Sequence, residues 1–139
     1  MNFFKSILRE GKKINRNLIR ILSLVIVVAL VGCSAPQSFR GGFKKGVEAY
    51  KRKEYATAFK ELKPFAEQGN AIAQTNLGFM FSTGMGVKKN YKLAVKWTRK
   101  SAEQGNARAQ NNLGWMYKYG NGVPKDDELA VKWYRKSAE

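Results

Sequence analysis

Side chains able to do covalent or metal chemistry are scarce in this chain. It has one cysteine, Cys33, no histidine, and 10 Asp plus Glu against 26 Lys plus Arg, a net charge of +16 over 139 residues. Without histidine and with a single thiol, no His/Cys metal site, Cys–His or Ser–His nucleophile, or intrachain disulfide can be assembled. The carboxylates offer no catalytic pair. Asp126, Asp127 and Glu128 are consecutive and suit the start of a helix, where its dipole favours negative charge. Gly84-Met85-Gly86 and Gly120-Asn121-Gly122 lack the Lys-Ser/Thr of a phosphate loop and read as chain reversals. No cofactor, no metal and no catalytic residue is therefore expected. A hydrophobic fraction of 44% argues against wholesale disorder, and the length suits one domain.

The chemistry left is that of Cys33. Lys5, Arg9, Lys12, Lys13, Arg16 and Arg20 precede an apolar run, Ile21 to Val31, which is too short to span a bilayer. A basic segment, a short apolar run and then small residues is the layout of a secretory signal, with the basic end held in the cytoplasm. Leu30-Val31-Gly32-Cys33-Ser34 resembles the bacterial lipobox. That resemblance implies cleavage before Cys33, diacylglycerol on its thiol and acylation of the new amine. Residues 1–32 would be the signal and 33–40 a tether. An incidental cysteine in an uncleaved anchor is the alternative. The lipobox resemblance implies an exported, membrane-anchored lipoprotein, and Ser34 after the cysteine resembles outer-membrane sorting, on the periplasmic or surface face, in a host with two membranes.

From Cys33 onward the chain keeps 20 basic and nine acidic side chains. Export argues against nucleic acid as the partner of this charge. Anionic lipid headgroups, glycans or an acidic protein fit the address, as does a merely solvated surface.

The rest of the chain repeats. Residues 67–102 and 103–138 are identical at 24 of 36 positions, and a fixed period of this size signals a solenoid. Ala73, Leu77, Met80 and Phe81, with Ala109, Leu113, Met116 and Tyr117, form apolar stripes on first helices. Asn70, Asn90, Asn106 and Asp126 suit N-caps, and Gly69 and Gly105 suit helix ends. Ala94, Trp97 and Ser101, repeated as Ala130, Trp133 and Ser137, give the inner stripe of second helices. Mid-helix Gly78 and Gly114 cost about 1 kcal/mol each against Ala, which close helix approach would offset. An earlier unit, residues 41–69, is degenerate and needs a shortened loop. The expectation is an all-α solenoid of about three helix pairs, with full units at 70–105 and 106–139. The last pair, lacking a polar cap, is expected to fray or to be covered by a partner or a second copy.

Ala73, Leu77, Gly78, Phe81, Gly84, Gly86, Val87, Ala94, Trp97 and Ala102, repeated 36 residues on, resemble the Sel1-like repeat, a relative of the tetratricopeptide α/α solenoids. The resemblance implies a non-enzymatic adaptor, often with envelope functions. A branch with paired cysteines is linked to penicillin binding or hydrolysis, and this chain lacks those cysteines.

Two faces are candidates for binding. The units differ at Ile72/Arg108, Thr75/Asn111, Phe79/Trp115 and Ser82/Lys118, which lie about 140–220° around the helix from the Leu77 stripe and its repeat. First helices of such solenoids line the concave surface, so these eight residues form a candidate site for a protein or peptide. Phe79 and Trp115 are its anchors, unless they pack against the neighbouring pair. Phe81/Tyr117 reads as a near-isosteric core exchange. Second helices instead agree: Lys96, Arg99 and Lys100 match Lys132, Arg135 and Lys136, a basic convex face that is either solvated or directed at anionic lipid.

Overall fold

The structure, a computed structural model, describes residues 37–139. The expected signal segment and Cys33 lie outside the described residues. The rest is helical, with α1 Gln37–Lys51, α2 Tyr55–Glu67, α3 Ala71–Thr83, α4 Tyr91–Glu103, α5 Ala107–Tyr119 and α6 Asp127–Ala138. No strand occurs among the described residues.

The starts of α3, α4, α5 and α6 follow from a short polar side chain at the expected place, whereas Glu54 before α2 makes no side-chain cap bond. Asn70 and Asn106 accept from the backbone N–H of Ala73 and Ala109 at 2.9 and 3.0 Å, and Asn90 and Asp126 from Leu93 and Leu129 at 3.0 and 2.8 Å. These bonds satisfy donors that a helix cannot satisfy itself. The loops between paired helices also repeat: Asn90 and Asp126 donate their N–H to Phe81 and Tyr117 carbonyls at 2.8 and 2.9 Å. Between α1 and α2 only residues 52–54 intervene, turned by Lys53 at φ 64°. The shortened loop expected of the first unit is present.

Neighbouring helices bury two apolar clusters related by the 36-residue period. The first joins Ala58, Leu62, Phe65, Ala66, Ala73, Leu77 and Met80 with half-buried Trp97. The second joins Ala94, Val95, Ala102, Ala109, Leu113 and Met116 with half-buried Trp133. A buried amide crosses each junction, with Gln74 Nε2 donating to the Ala66 carbonyl at 3.0 Å and Gln110 Nε2 to the Ala102 carbonyl at 3.2 Å. Each of these carbonyls also accepts from the glycine three residues on, Gly69 and Gly105, at 3.1 and 3.0 Å, so the glutamine amide adds a second bond that ties the next unit to the helix end.

Gly78 shows why a helix breaker sits inside α3. A Cβ there would lie 3.1 Å from the Thr98 nitrogen and 3.3 Å from the Ala94 carbonyl oxygen, with the Thr98 hydroxyl closer still. Helices α3 and α4 touch backbone to backbone at this point. The Thr98 hydroxyl is buried against Gly78 without a hydrogen-bond partner, an arrangement that carries a desolvation penalty. Thr98→Val should therefore raise stability by about 1 kcal/mol. Urea unfolding would show a higher midpoint at unchanged slope, and a lower midpoint would mean that the hydroxyl is used.

Candidate interaction face

Helix α3 is packed on more sides than one stripe provides for. It meets α2 and α4, and α4 in turn carries α5. Ala73, Gln74, Thr75, Asn76, Leu77, Gly78 and Met80 are all buried. Thr75 was expected on the outer face, yet it is only 2% exposed. Its hydroxyl lies 2.8 Å from that of Ser101, and both reach the Ala71 carbonyl, at 2.9 and 2.7 Å. A wheel drawn for one buried stripe misplaces Thr75 because an inner solenoid helix is buried from several directions. Thr75 thus leaves the candidate site and joins the core.

The other candidates on the first helices stay near the surface. Ile72 is 53% exposed and Trp115 43%, while Arg108, Asn111 and Lys118 are exposed and Ser82 half-buried. Ser82 donates its hydroxyl to the Phe79 carbonyl at 2.8 Å. Phe79 is not a free anchor. It is half-buried, edge-on to Tyr50 at 6.4 Å between ring centroids, with the Arg108 guanidinium 5.8 Å from its own centroid. Burial pushes the Tyr50 phenol above its ordinary pKa, and the neighbouring Arg108 charge opposes the rise without cancelling it. Trp115 is the free anchor, tilted against Tyr119 at 5.1 Å, and Tyr119 is itself 56% exposed.

Between α3 and α5 lies a cleft of about 320 Å³ lined by Phe79, Ser82, Thr83, Asn111, Asn112, Trp115 and Met116. It gathers four of the eight residues expected from the sequence. Ile72, Arg108 and Lys118 lie outside its lining. Thr83, Asn112 and Met116 complete the lining: Thr83 differs from its repeat Tyr119, whereas Asn112 and Met116 are identical between the units, so no difference between units singles them out. Tyr50 gave no signal either, because it belongs to the degenerate unit.

The second-helix face also differs from a plain basic strip. Lys96 and Lys100 lie 5.8 and 5.3 Å from the Trp97 ring centroid, and Lys136 lies 4.9 Å from that of Trp133. These lysines lay their stems on apolar surface while keeping the charge wet. Arg99 was expected to belong with them but turns into the junction between units, donating to the Tyr117 hydroxyl at 2.7 Å. The Phe81/Tyr117 exchange is therefore more than isosteric, since Phe81 meets Phe59 edge-on at 5.6 Å and Tyr117 recruits a guanidinium. Arg135, the repeat of Arg99, stays exposed with Lys132 and Lys136 along a shallow groove on α6.

Among the described residues no three His, Cys, Asp or Glu gather as a metal site would require. None of the described helices is long and apolar enough to cross a membrane.

The family model of the Sel1 repeat matches residues 71–106 and 107–139, the two units whose caps and clusters coincide above. The chain belongs to the Sel1 repeat family. A Sel1 repeat protein from Oxalobacter formigenes is 45% identical with a TM-score of 0.65, over 69% of this chain and 40% of that one. A protective antigen of uropathogenic Escherichia coli strains, c5321, displays the same repeat fold at 37% identity and a TM-score of 0.67, over 72% of this chain and 22% of that one. Cysteine rich protein B of Helicobacter pylori shares the fold alone, at 21% identity and a TM-score of 0.57, over 77% of this chain and 91% of that one. This chain spans less than half the length of the first two. No curated protein matches it. The two matched repeats place the α3–α5 cleft between equivalent helices.

Proposed function

We propose that this Sel1 repeat protein is a lipid-anchored, non-enzymatic scaffold at the bacterial envelope, and that its α3–α5 cleft receives a protein or peptide partner. The observation that carries the reading is the cleft itself, where the exposed indole of Trp115 adjoins Asn111, Asn112 and Ser82. A rigid aromatic surrounded by hydrogen-bonding groups is the composition of an interface hot spot. The Leu30-to-Cys33 segment supports the anchor, and Ser34 supports the outer membrane as its address.

Both halves are testable on the full chain. Palmitate should label the wild type and not Cys33→Ser; equal labelling would remove the anchor. Affinity capture from envelope extract should enrich a partner whose binding weakens by more than about 1 kcal/mol in Trp115→Ala. The melting temperature of that variant should barely change, because the indole is half in water. Unfolding of Trp115→Ala, with binding per folded molecule intact, would make Trp115 a junction residue and remove the cleft from consideration.

One arrangement favours a second reading, the binding of anionic lipid or glycan. Lys60, Lys96 and Lys132 are exposed and stand one per unit at the 36-residue period. Contact through such a ladder would weaken steeply with salt, whereas an aromatic-anchored contact would not.

A further inference from the structure

The chemistry of the partner can be read one step further, and this inference rests on the cleft being the binding site. Helices α3 and α5 contain no acidic side chain, although nine acidic residues occur among the described ones. The grooves on α4 and α6 differ, since Glu103 lines one and Asp127, Glu128 and Glu139 line the other. Negative charge is thus missing from the α3–α5 face, with Arg108 in the first turn of α5 and Lys118 in the last.

Arg108 is also held in place. Its guanidinium covers the Phe79 ring at 5.8 Å, and Phe79 is braced in turn by Tyr50. Stacking uses the face of the guanidinium and one edge is hydrogen-bonded to the Tyr50 hydroxyl, which leaves other N–H donors of the five for a carboxylate. An arginine fixed before binding loses less freedom when it binds. Seven residues separate Arg108 from Trp115, two turns of α5. The two positions lie within about 20° of one line and about 10 Å apart. A polyproline-type chain covers about that distance in three residues and returns to the same side.

The geometry points to an acidic, extended peptide as the occupant, with a carboxylate on Arg108 and, three residues away, an apolar side chain in the cleft against Trp115. Apolar packing supplies the anchor, and the arginine supplies sign and register. Lys118, whose ammonium lies 5.5 Å from the Tyr119 ring, extends the positive field beyond the other end.

The test is an array of terminally blocked Pro/Gly-rich peptides holding one Glu and one Leu at separations of one to six residues, each also made with Gln for Glu. It is read with the labelled full chain in detergent. Binding should peak at a separation of three and fall at least fivefold when Glu becomes Gln. Arg108→Gln should reproduce that fall for Glu peptides and leave Gln peptides unchanged. Arg108→Lys, which keeps the charge and loses the fork, should fall between. Trp115→Ala should weaken both sets, and Lys96→Gln with Lys132→Gln should weaken neither. If Arg108→Gln has no effect, or the lysine pair abolishes binding, the acidic register is wrong. A persisting Trp115 dependence would then leave the cleft standing. Binding that ignores Trp115, or no binding by any peptide, overturns both.

Discussion

Leu113→Ala is expected to cost about 2–5 kcal/mol of folding stability, the range for emptying a leucine site in a rigid core. Leu113 is fully buried beside Ala109 and Met116 in the cluster that joins the last two helix pairs. How far Met116 and Trp133 can move into the space sets where in that range the loss falls. A domain of about 100 residues is typically stable by about 5–15 kcal/mol, so this one change removes a large share. Each kcal/mol shifts the melting temperature of such a domain by roughly 4–8 °C, and the expected drop exceeds about 10 °C. Urea unfolding at constant slope would measure it. A loss under about 1 kcal/mol would mean that the α5–α6 unit is not folded around Leu113. Set beside Trp115→Ala, two residues along the same helix, the pair separates stability from binding.

The second large effect belongs to a loop. Gly84 and Gly86 both adopt positive φ, 80° and 72°, a region that costs a residue with a Cβ roughly 1–2 kcal/mol. Their surroundings differ. A Cβ on Gly84 would lie 3.3 Å from the Lys89 Cβ, a contact that a small shift relieves, whereas on Gly86 it would lie 2.7 Å from the backbone nitrogen of Ala56 at the start of α2. Gly84→Ala should therefore cost about 1–2 kcal/mol, the conformational part alone. Gly86→Ala should cost clearly more, because it also levers the loop off the preceding unit. Gly122 repeats the contact, its added Cβ falling 2.6 Å from the carbonyl carbon of Tyr91 at the start of α4. Equal losses at 84 and 86 would show that the loop tip does not bear on α2.

Much of this fold is legible in the sequence because its determinants are local. Asn70, Asn90, Asn106 and Asp126 announce helix starts through side-chain oxygens that act within three residues, and the period carries Leu77 to Leu113 and Trp97 to Trp133. Gly78 was legible too, since only close approach offsets a glycine inside a helix. What stayed hidden was decided by contacts between units. Thr75 faces outward on a helix considered alone and becomes core once Ser101 is brought against it. Phe79 is covered by Tyr50, whose degenerate unit offers no period to follow. Half of the expected site lines the cleft. The cleft residues missed include Asn112 and Met116, which do not vary between units and so cannot be found by comparing them.

The bond from Arg99 to Tyr117 makes the order of the units chemically directional. Phe81 stands at the same place one unit earlier and faces Phe59, with Lys63 where the later unit has Arg99. Transposing residues 71–106 and 107–139 would carry a phenol to the aromatic junction and leave the arginine facing a phenylalanine. Two segments identical at two thirds of their positions are thus not interchangeable parts, and a chain lengthened by copying either one would need its junction partner copied with it.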